Sequence, residues 1–165
     1  MQSKILIVGA DHHNTLGVVE SLAEKGIRSY VILYIRESWG YVLKSKHIEK
    51  GWICHSPDEL IACMVNNFSD ATCFTIVIAT NDTTASIIDN NHEKLDNYFI
   101  LPTVENKGNL SGVMNKEYMS RLATSVGLNV PKTWLVDDGS IPSDIEYPCI
   151  TKAISSVAGT KDNIA

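Results

Sequence analysis

Two lysines stand where the sequence could hold a phosphate group. Lys116 falls in the first turn of a predicted helix, where the helix macrodipole disfavours a cation unless an anion lies nearby. Lys152 ends the β-rich stretch CITK (149–152), and strand alternation places it on one face with Ile150 and Ile154. An ammonium group that emerges from an apolar surface needs a partner of opposite charge. Both lysines therefore suggest an anion site, and the plain alternative is a pair of lysines that reach into solvent.

The loop after Lys152, SSVAGTKDN (155–163), has the composition of a phosphate-binding loop. Ser155 and Ser156 offer hydroxyl groups, and Gly159 allows close approach of the backbone. Backbone amides in such a loop can surround phosphate oxygens while the lysine supplies a point charge. An ordinary hairpin loop beside an edge lysine is the alternative interpretation.

The elements that must position these residues alternate between strands and helices through residue 101. The β-rich runs are KILIVGA (4–10), YVILYI (30–35), GWIC (51–54), CFTIVIAT (73–80) and YFIL (98–101). The run at 73–80 is apolar almost throughout, which is typical of a central parallel strand. Alternating strands and helices predict βαβ units with right-handed crossovers. The predicted fold class is α/β, a Rossmann-like parallel sheet with helices on both faces.

The predicted domain boundary lies in the polar stretch TVENKGNLSG (103–112). Residues 1–110 form the predicted Rossmann-like domain, in which Ser56 caps a helix that begins at Pro57. Residues 111–165 form a second segment that starts with a helix over 114–126.

The composition limits the classes of protein to which this chain can belong. The chain has 165 residues, 44% of them hydrophobic and 20% charged, with a net charge of −5. Dispersed basic residues exclude a nucleic-acid footprint. No apolar run reaches the roughly 20 residues of a membrane helix, and the start MQSKILIVGA lacks a signal-peptide layout. We therefore expect a cytoplasmic protein with neither nucleic acid nor membrane as a partner.

The sequence contains few patterns that are typical of metal or cofactor binding. The four cysteines lack a C-x-x-C pair and are predicted to be buried reduced thiols: Cys54, Cys63, Cys73 and Cys149. His12 and His13 are expected to point apart, and no neighbouring cluster completes a zinc site. The turn GADHHNTLG (9–17) lacks the dinucleotide-binding pattern G-x-G-x-x-G. The alternative hypothesis of a nicotinamide or nucleotide-sugar enzyme is therefore supported by analogy of fold alone. In that alternative Glu37 would be the ribose-binding acid, whereas a solvated loop glutamate is the simpler interpretation.

Two segments together resemble the ATP-grasp superfamily, and within it proteins similar to the large subunit of carbamoyl-phosphate synthase. MNKEYMSRLATSVGLNVPKTWLV (114–136) resembles the segment K-x5–6-L-x4-G-[IL]-x-[VT]-P-x-[TS] of that family. YPCITKAISSVAGTKDNI (147–164) is similar to its P-x-[IV]-x-K strand and small-residue lid loop. Residues 1–102 resemble the Rossmann-like domain that precedes the grasp. The resemblance therefore covers the whole chain.

The resemblance implies ATP between two lobes and transfer of its γ-phosphate to a carboxylate, giving an acyl phosphate that an amine or similar nucleophile attacks. Lys116 would contact the nucleotide phosphates, and Lys152 the phosphate and adenine side. The lid loop would contain Ser155, Ser156 and Gly159. The partners would be a small-molecule carboxylate and the nucleophile.

The resemblance also implies a substrate side at the carboxyl ends of the parallel strands, formed by Asp11, Asn81 and Asp82. Three departures from the family are Ala153, where proline is usual, the single glycine of the lid loop, and Asn115, where aspartate often precedes the lysine.

The family's magnesium ligands are expected beyond residue 165, so we predict no metal site within the chain and an N-terminal fragment that is inactive alone. An incomplete ATP-grasp lobe would leave apolar residues such as Trp134, Leu135 and Ile150 short of partners, which predicts either a homodimer or a mobile C-terminal third. The open alternative is a non-catalytic Rossmann-like domain that binds a small molecule or a protein.

Overall fold

The structure is a computed structural model that describes residues 3–35, 40–69, 73–102, 108, 110–136 and 139–152. The strands are β1 Lys4–Gly9, β2 Ser29–Tyr34, β3 Ile48–Cys54, β4 Thr75–Ala79 and β5 Phe99–Ile100. The helices are α1 His13–Ala23, α2 Pro57–Phe68, α3 Asp82–Asn90, α4 His92–Leu95, α5 Leu110–Val113 and α6 Lys116–Ser125, with a 3-10 turn at Tyr41–Lys44.

The five strands form one parallel sheet in the order β3-β2-β1-β4-β5. Strand β1 lies at the centre, where Val8 pairs with Ile32 of β2 on one side and Ala79 of β4 on the other. Parallel neighbours require crossover connections. Helices lie between β1 and β2, between β3 and β4, and between β4 and β5, and the 3-10 turn lies between β2 and β3. The predicted α/β fold with a parallel sheet is therefore confirmed.

Alternate residues of the central strands face two different hydrophobic layers. Leu6 and Val8 belong to the layer that also contains Leu60 of α2 and Ile88 of α3. Ile7 belongs to the opposite layer, with Val19 of α1. Helices thus cover both faces, as predicted, and the buried strand residues explain the nearly continuous apolar runs in the sequence.

Helix α2 begins as its sequence predicts. The Ser56 hydroxyl oxygen accepts a hydrogen bond from the Glu59 backbone N–H at 3.2 Å, and Pro57 is the first helical residue. At the other end, Phe68 contacts the rings of Tyr30 and Trp52 edge to face, with centroid separations of 5.3 and 5.5 Å. The helix is therefore fixed by a cap at its start and by an aromatic cluster at its end.

The chain divides into two compact units, Met1–Leu110 and Ser111–Ala165. None of the second unit's residues within 112–136 and 139–152 is buried. Its exposed apolar side chains are Tyr118, Met119, Leu122, Val126, Leu128, Leu135, Val136, Ile141, Tyr147 and Ile150. Apolar surface of this kind favours association. A homodimer therefore stays a prediction, which light scattering would test.

Some local predictions are wrong. Residues 149–152 do not form a strand. A strand exists only when another strand pairs with it, and no described segment does so here. Ile150 is 78% exposed, so the apolar surface expected around Lys152 is not formed by the described residues. Cys149 is exposed and only Cys54 is buried, so the prediction of four buried thiols is also wrong.

Among the residues that the structure describes, we find no helix with the length and apolar character needed to cross a bilayer.

Candidate functional site

The candidate site lies at the carboxyl ends of β1 and β4, the two adjacent strands from which the chain turns in opposite directions. Strand β1 leads toward β2 on one side of the sheet, and β4 leads toward β5 on the other. Ligands of open α/β sheets bind in the crevice at such a point. Asp11 follows β1, while Asn81 and Asp82 follow β4. The three residues predicted for the substrate side therefore lie at one edge of the sheet.

Gly9 and two threonines pack together at the carboxyl ends of β1 and β4. The Thr15 hydroxyl donates to the Ala10 carbonyl at 2.7 Å and lies 2.8 Å from the Thr80 hydroxyl. A Cβ atom at Gly9 would overlap both threonine oxygens. Glycine is therefore required here by close packing, because α1 and the residue after β4 meet directly above it.

A third threonine completes the connection between the two strands. The Thr84 hydroxyl lies 3.2 Å from the Val8 carbonyl oxygen, which also accepts the Thr80 backbone N–H at 2.9 Å. Thr15 and Thr84 are buried, so these hydrogen bonds lie away from competing water. The threonines hold the first turns of α1 and α3 in fixed positions over the strand ends.

Sequence reasoning missed these three threonines. The available signal was a threonine near the start of each helix, on the side that faces the sheet.

Asp11 has a structural task at this edge. Its carboxylate oxygens accept the backbone N–H groups of Tyr41 and Val42, at 3.0 and 2.9 Å. These groups belong to the first turn of the 3-10 segment Tyr41–Lys44, where N–H groups lack partners within the turn. Asp11 therefore anchors that segment beside the crevice, and a role toward substrate stays a prediction.

Replacing Asp11 with alanine is expected to lower the free energy of unfolding by about 1–2 kcal/mol, because two N–H groups lose a charged acceptor. Asp11→Asn keeps one carbonyl acceptor and should lie between the wild type and alanine. Chemical denaturation measures the free energy of unfolding. Amide hydrogen exchange at Tyr41 and Val42 measures whether the 3-10 segment is released from its anchor. Unchanged exchange at both amides in Asp11→Ala would contradict the anchoring role.

Asn81 and Asp82 begin helix α3. The Asn81 side-chain oxygen accepts the Thr84 backbone N–H at 2.8 Å, which is an N-cap. Asp82 is the first helical residue and is exposed. An acidic residue in the first turn interacts favourably with the positive end of the helix dipole. Both residues thus have local structural roles, and their predicted contact with substrate is not tested by this geometry.

His12 and His13 lie on the same edge, at the start of α1. The His12 ring Nδ1 accepts the Asn14 backbone N–H at 3.3 Å, so His12 is the N-cap residue. The two rings lie 3.8 Å apart between centroids, and the expectation that they point apart is wrong. His12 precedes the helix, and its extended backbone allows the rings to approach. Two helix starts at one edge give it a partial positive charge suited to a polar or anionic group.

Within the described residues no three histidine, cysteine or acidic side chains form a group that could hold a metal ion.

The predicted ATP-binding residues belong to the second unit. Lys116 is the first residue of α6, and Asn115 caps that helix by accepting the N–H groups of Glu117 and Tyr118 at 2.9 and 3.0 Å. Lys152 is exposed. Ser155, Ser156 and Gly159 lie outside the described residues, as do Ala153, Ile154 and Glu37. The position of Lys116 in the first helical turn is confirmed.

The chain resembles a solved ligase in fold. That structure is the L-amino acid ligase from Bacillus licheniformis, with a TM-score of 0.56 and 13% sequence identity. The match covers 79% of this chain and 32% of the ligase, so the chain spans about a third of that protein's length. No protein-family model matches the sequence, and no curated protein does. At this identity the likeness establishes the fold.

Proposed function

We propose that this chain is the N-terminal part of an ATP-grasp ligase that activates a small carboxylate as an acyl phosphate for attack by an amine. The observation that carries the proposal is the likeness in fold to the L-amino acid ligase over 79% of the chain. The two lysine segments at 114–136 and 147–164 support it from the sequence, since they resemble nucleotide-binding segments of the ATP-grasp superfamily.

Each of the two units has its own role in the proposed function. Residues 1–110 act as the Rossmann-like domain before the grasp, and residues 111–165 act as the first part of the ATP-grasp lobe. The crevice beside Asp11, Asn81 and Asp82 contributes to the substrate side. The ligase neighbour favours an amino-acid carboxylate as substrate over the carbamoyl-phosphate chemistry of the sequence resemblance.

Phosphate binding is assigned to Lys116 and Lys152, with Ser155, Ser156 and Gly159 in the lid loop. The asparagine cap at Asn115 fixes the start of α6, so that the Lys116 backbone has a defined position at the positive end of the helix dipole. A polyphosphate there would compensate both the dipole and the ammonium charge. Magnesium would neutralise the charge of the transferred phosphate group.

The test uses the complete reading frame that contains these residues, read from the genomic DNA beyond codon 165. We expect amino-acid-dependent release of ADP and phosphate. Lys116→Ala and Lys152→Ala should each raise the KM for ATP by about 10–100-fold, the usual range for one lost hydrogen bond to a charged group. Lys25→Ala is the matched control, because this lysine is exposed at the end of α1 in the first unit.

The outcomes separate the proposals. Turnover with an unchanged KM for ATP in both lysine variants would reject the residue assignment and keep the ligase. Absence of ATP-dependent turnover with every amino acid tried would favour the non-catalytic binding domain.

A further inference from the structure

Two cysteines that are nine residues apart in sequence meet in the first unit. Cys54 ends strand β3 and is 1% exposed, and Cys63 lies on helix α2. The Cys54 Sγ atom lies 3.8 Å from the carbonyl oxygen of Glu59. Glu59 is one helical turn before Cys63, and helical side chains lean back over the preceding turn. The Cys63 side chain therefore extends toward the place that Cys54 occupies.

The packing around the two thiols supports this arrangement. Cys63 is half-buried and packs against the hydrophobic layer that contains Cys54. Burial and, to a smaller extent, the adjacent Cys63 thiol raise the pKa of Cys54 to about 12. Burial also raises the pKa of Cys63. Each thiol is thus a close electrostatic neighbour of the other, and neither is ionised near neutral pH.

We propose that Cys54 and Cys63 form a dithiol site that a hydroperoxide converts into an intramolecular disulfide. The sequence pattern lacks a C-x-x-C motif, and the juxtaposition arises only because α2 folds back over the end of β3. This site is independent of the proposed ligase function.

The reaction balances with the peroxide as oxidant. Cys63 is the more exposed thiol, so it is the one that loses its proton to water and attacks one peroxide oxygen as the thiolate. The O–O bond breaks, the released hydroxide takes up that proton, and a sulfenic acid and one water form. The Cys54 sulfur then attacks the Cys63 sulfur. The S–S bond forms, the S–O bond breaks, and the departing hydroxide takes up the Cys54 proton as a second water. Two thiols are oxidised and one hydrogen peroxide is reduced.

The experiment uses the full chain with Cys73→Ser and Cys149→Ser, which removes the two competing thiols. The reduced protein is treated with hydrogen peroxide, and any remaining thiols are alkylated under denaturing conditions. Cleavage after glutamate separates the two cysteines, because Glu49, Glu59 and Glu93 bound the peptides 50–59 and 60–93. Non-reducing mass spectrometry then identifies a linked peptide pair directly.

We expect the intact mass to fall by about 2 Da and the two peptides to appear as one linked species that dithiothreitol separates. Cys63→Ser in the same background is the matched control and should give no linked species. A gain of about 32 Da on Cys63 with Cys54 still available for alkylation would overturn the proposal, since it would show sulfinic acid formation without capture by a neighbouring thiol. A link between two chains would also overturn it. Circular dichroism before oxidation verifies the fold of each variant.

Discussion

Gly9→Ala is expected to lower the free energy of unfolding by about 3 kcal/mol, the upper part of the usual range for overpacking. The new Cβ atom would overlap the hydroxyl oxygens of Thr15 and Thr80. To make room, either threonine must rotate, and the 2.8 Å contact between the two hydroxyl groups would be lost. Both groups lie at the end of β1 beneath α1, where the backbone has little freedom to shift.

A second glycine provides the control for this substitution. Gly17 lies inside α1, and no neighbouring atom lies within 4 Å of a Cβ built there. Gly17→Ala should therefore stabilise the protein by about 0.5–1 kcal/mol through helix propensity. Urea denaturation of both variants measures the difference. Equal effects at the two positions would refute the close packing at the carboxyl edge of β1.

The other large effect is expected at the end of helix α2. Phe68→Ala should cost about 3–5 kcal/mol, because truncating a buried phenylalanine removes its burial and leaves a cavity. Phe68 is 2% exposed and contacts both Tyr30 and Trp52 edge to face. Those two aromatic residues lie on adjacent strands, β2 and β3, so the loss would loosen α2 from this half of the sheet.

Phe74 is the matched control for Phe68. It is 51% exposed, so Phe74→Ala should change the free energy of unfolding by less than about 0.5 kcal/mol. Calorimetry or urea denaturation compares the two variants. If Phe68→Ala were as stable as Phe74→Ala, the aromatic cluster would not be part of the packed core.

Local sequence patterns were sufficient for most of the first unit. The apolar run at 73–80 predicts a parallel strand covered on both faces, because such a strand has no polar side. The run contains β4, an interior strand that lies between β1 and β5. The start of α2 was equally predictable, since Ser56 and Pro57 act within a single helical turn. Such signals depend on neighbouring residues alone.

The candidate site was only partly predictable for a physical reason. That Asp11 and Asn81 share one edge follows from parallel strands, but their partners come from distant segments. Asp11 binds N–H groups 30 and 31 residues away, and the Thr15 hydroxyl meets the Thr80 hydroxyl across 65 residues. No local pattern encodes such pairs.

The strand predicted at 149–152 failed for a related reason, because alternation describes one chain segment while a strand also needs a paired neighbour. The roles of Lys116, Lys152 and the lid loop stay predictions.

The central place of β1 has a consequence for synthesis on the ribosome. One side of β1 can pair with β2 as soon as β2 has been synthesised. The other side remains unpaired until β4 has been synthesised, and Thr80, the residue after β4, hydrogen-bonds Val8 across 72 residues. Until then the nascent chain has an open edge of unpaired N–H and C=O groups on an apolar strand. Such edges pair readily with other chains. Slow translation between β3 and β4 should therefore increase aggregation more than a pause after β4.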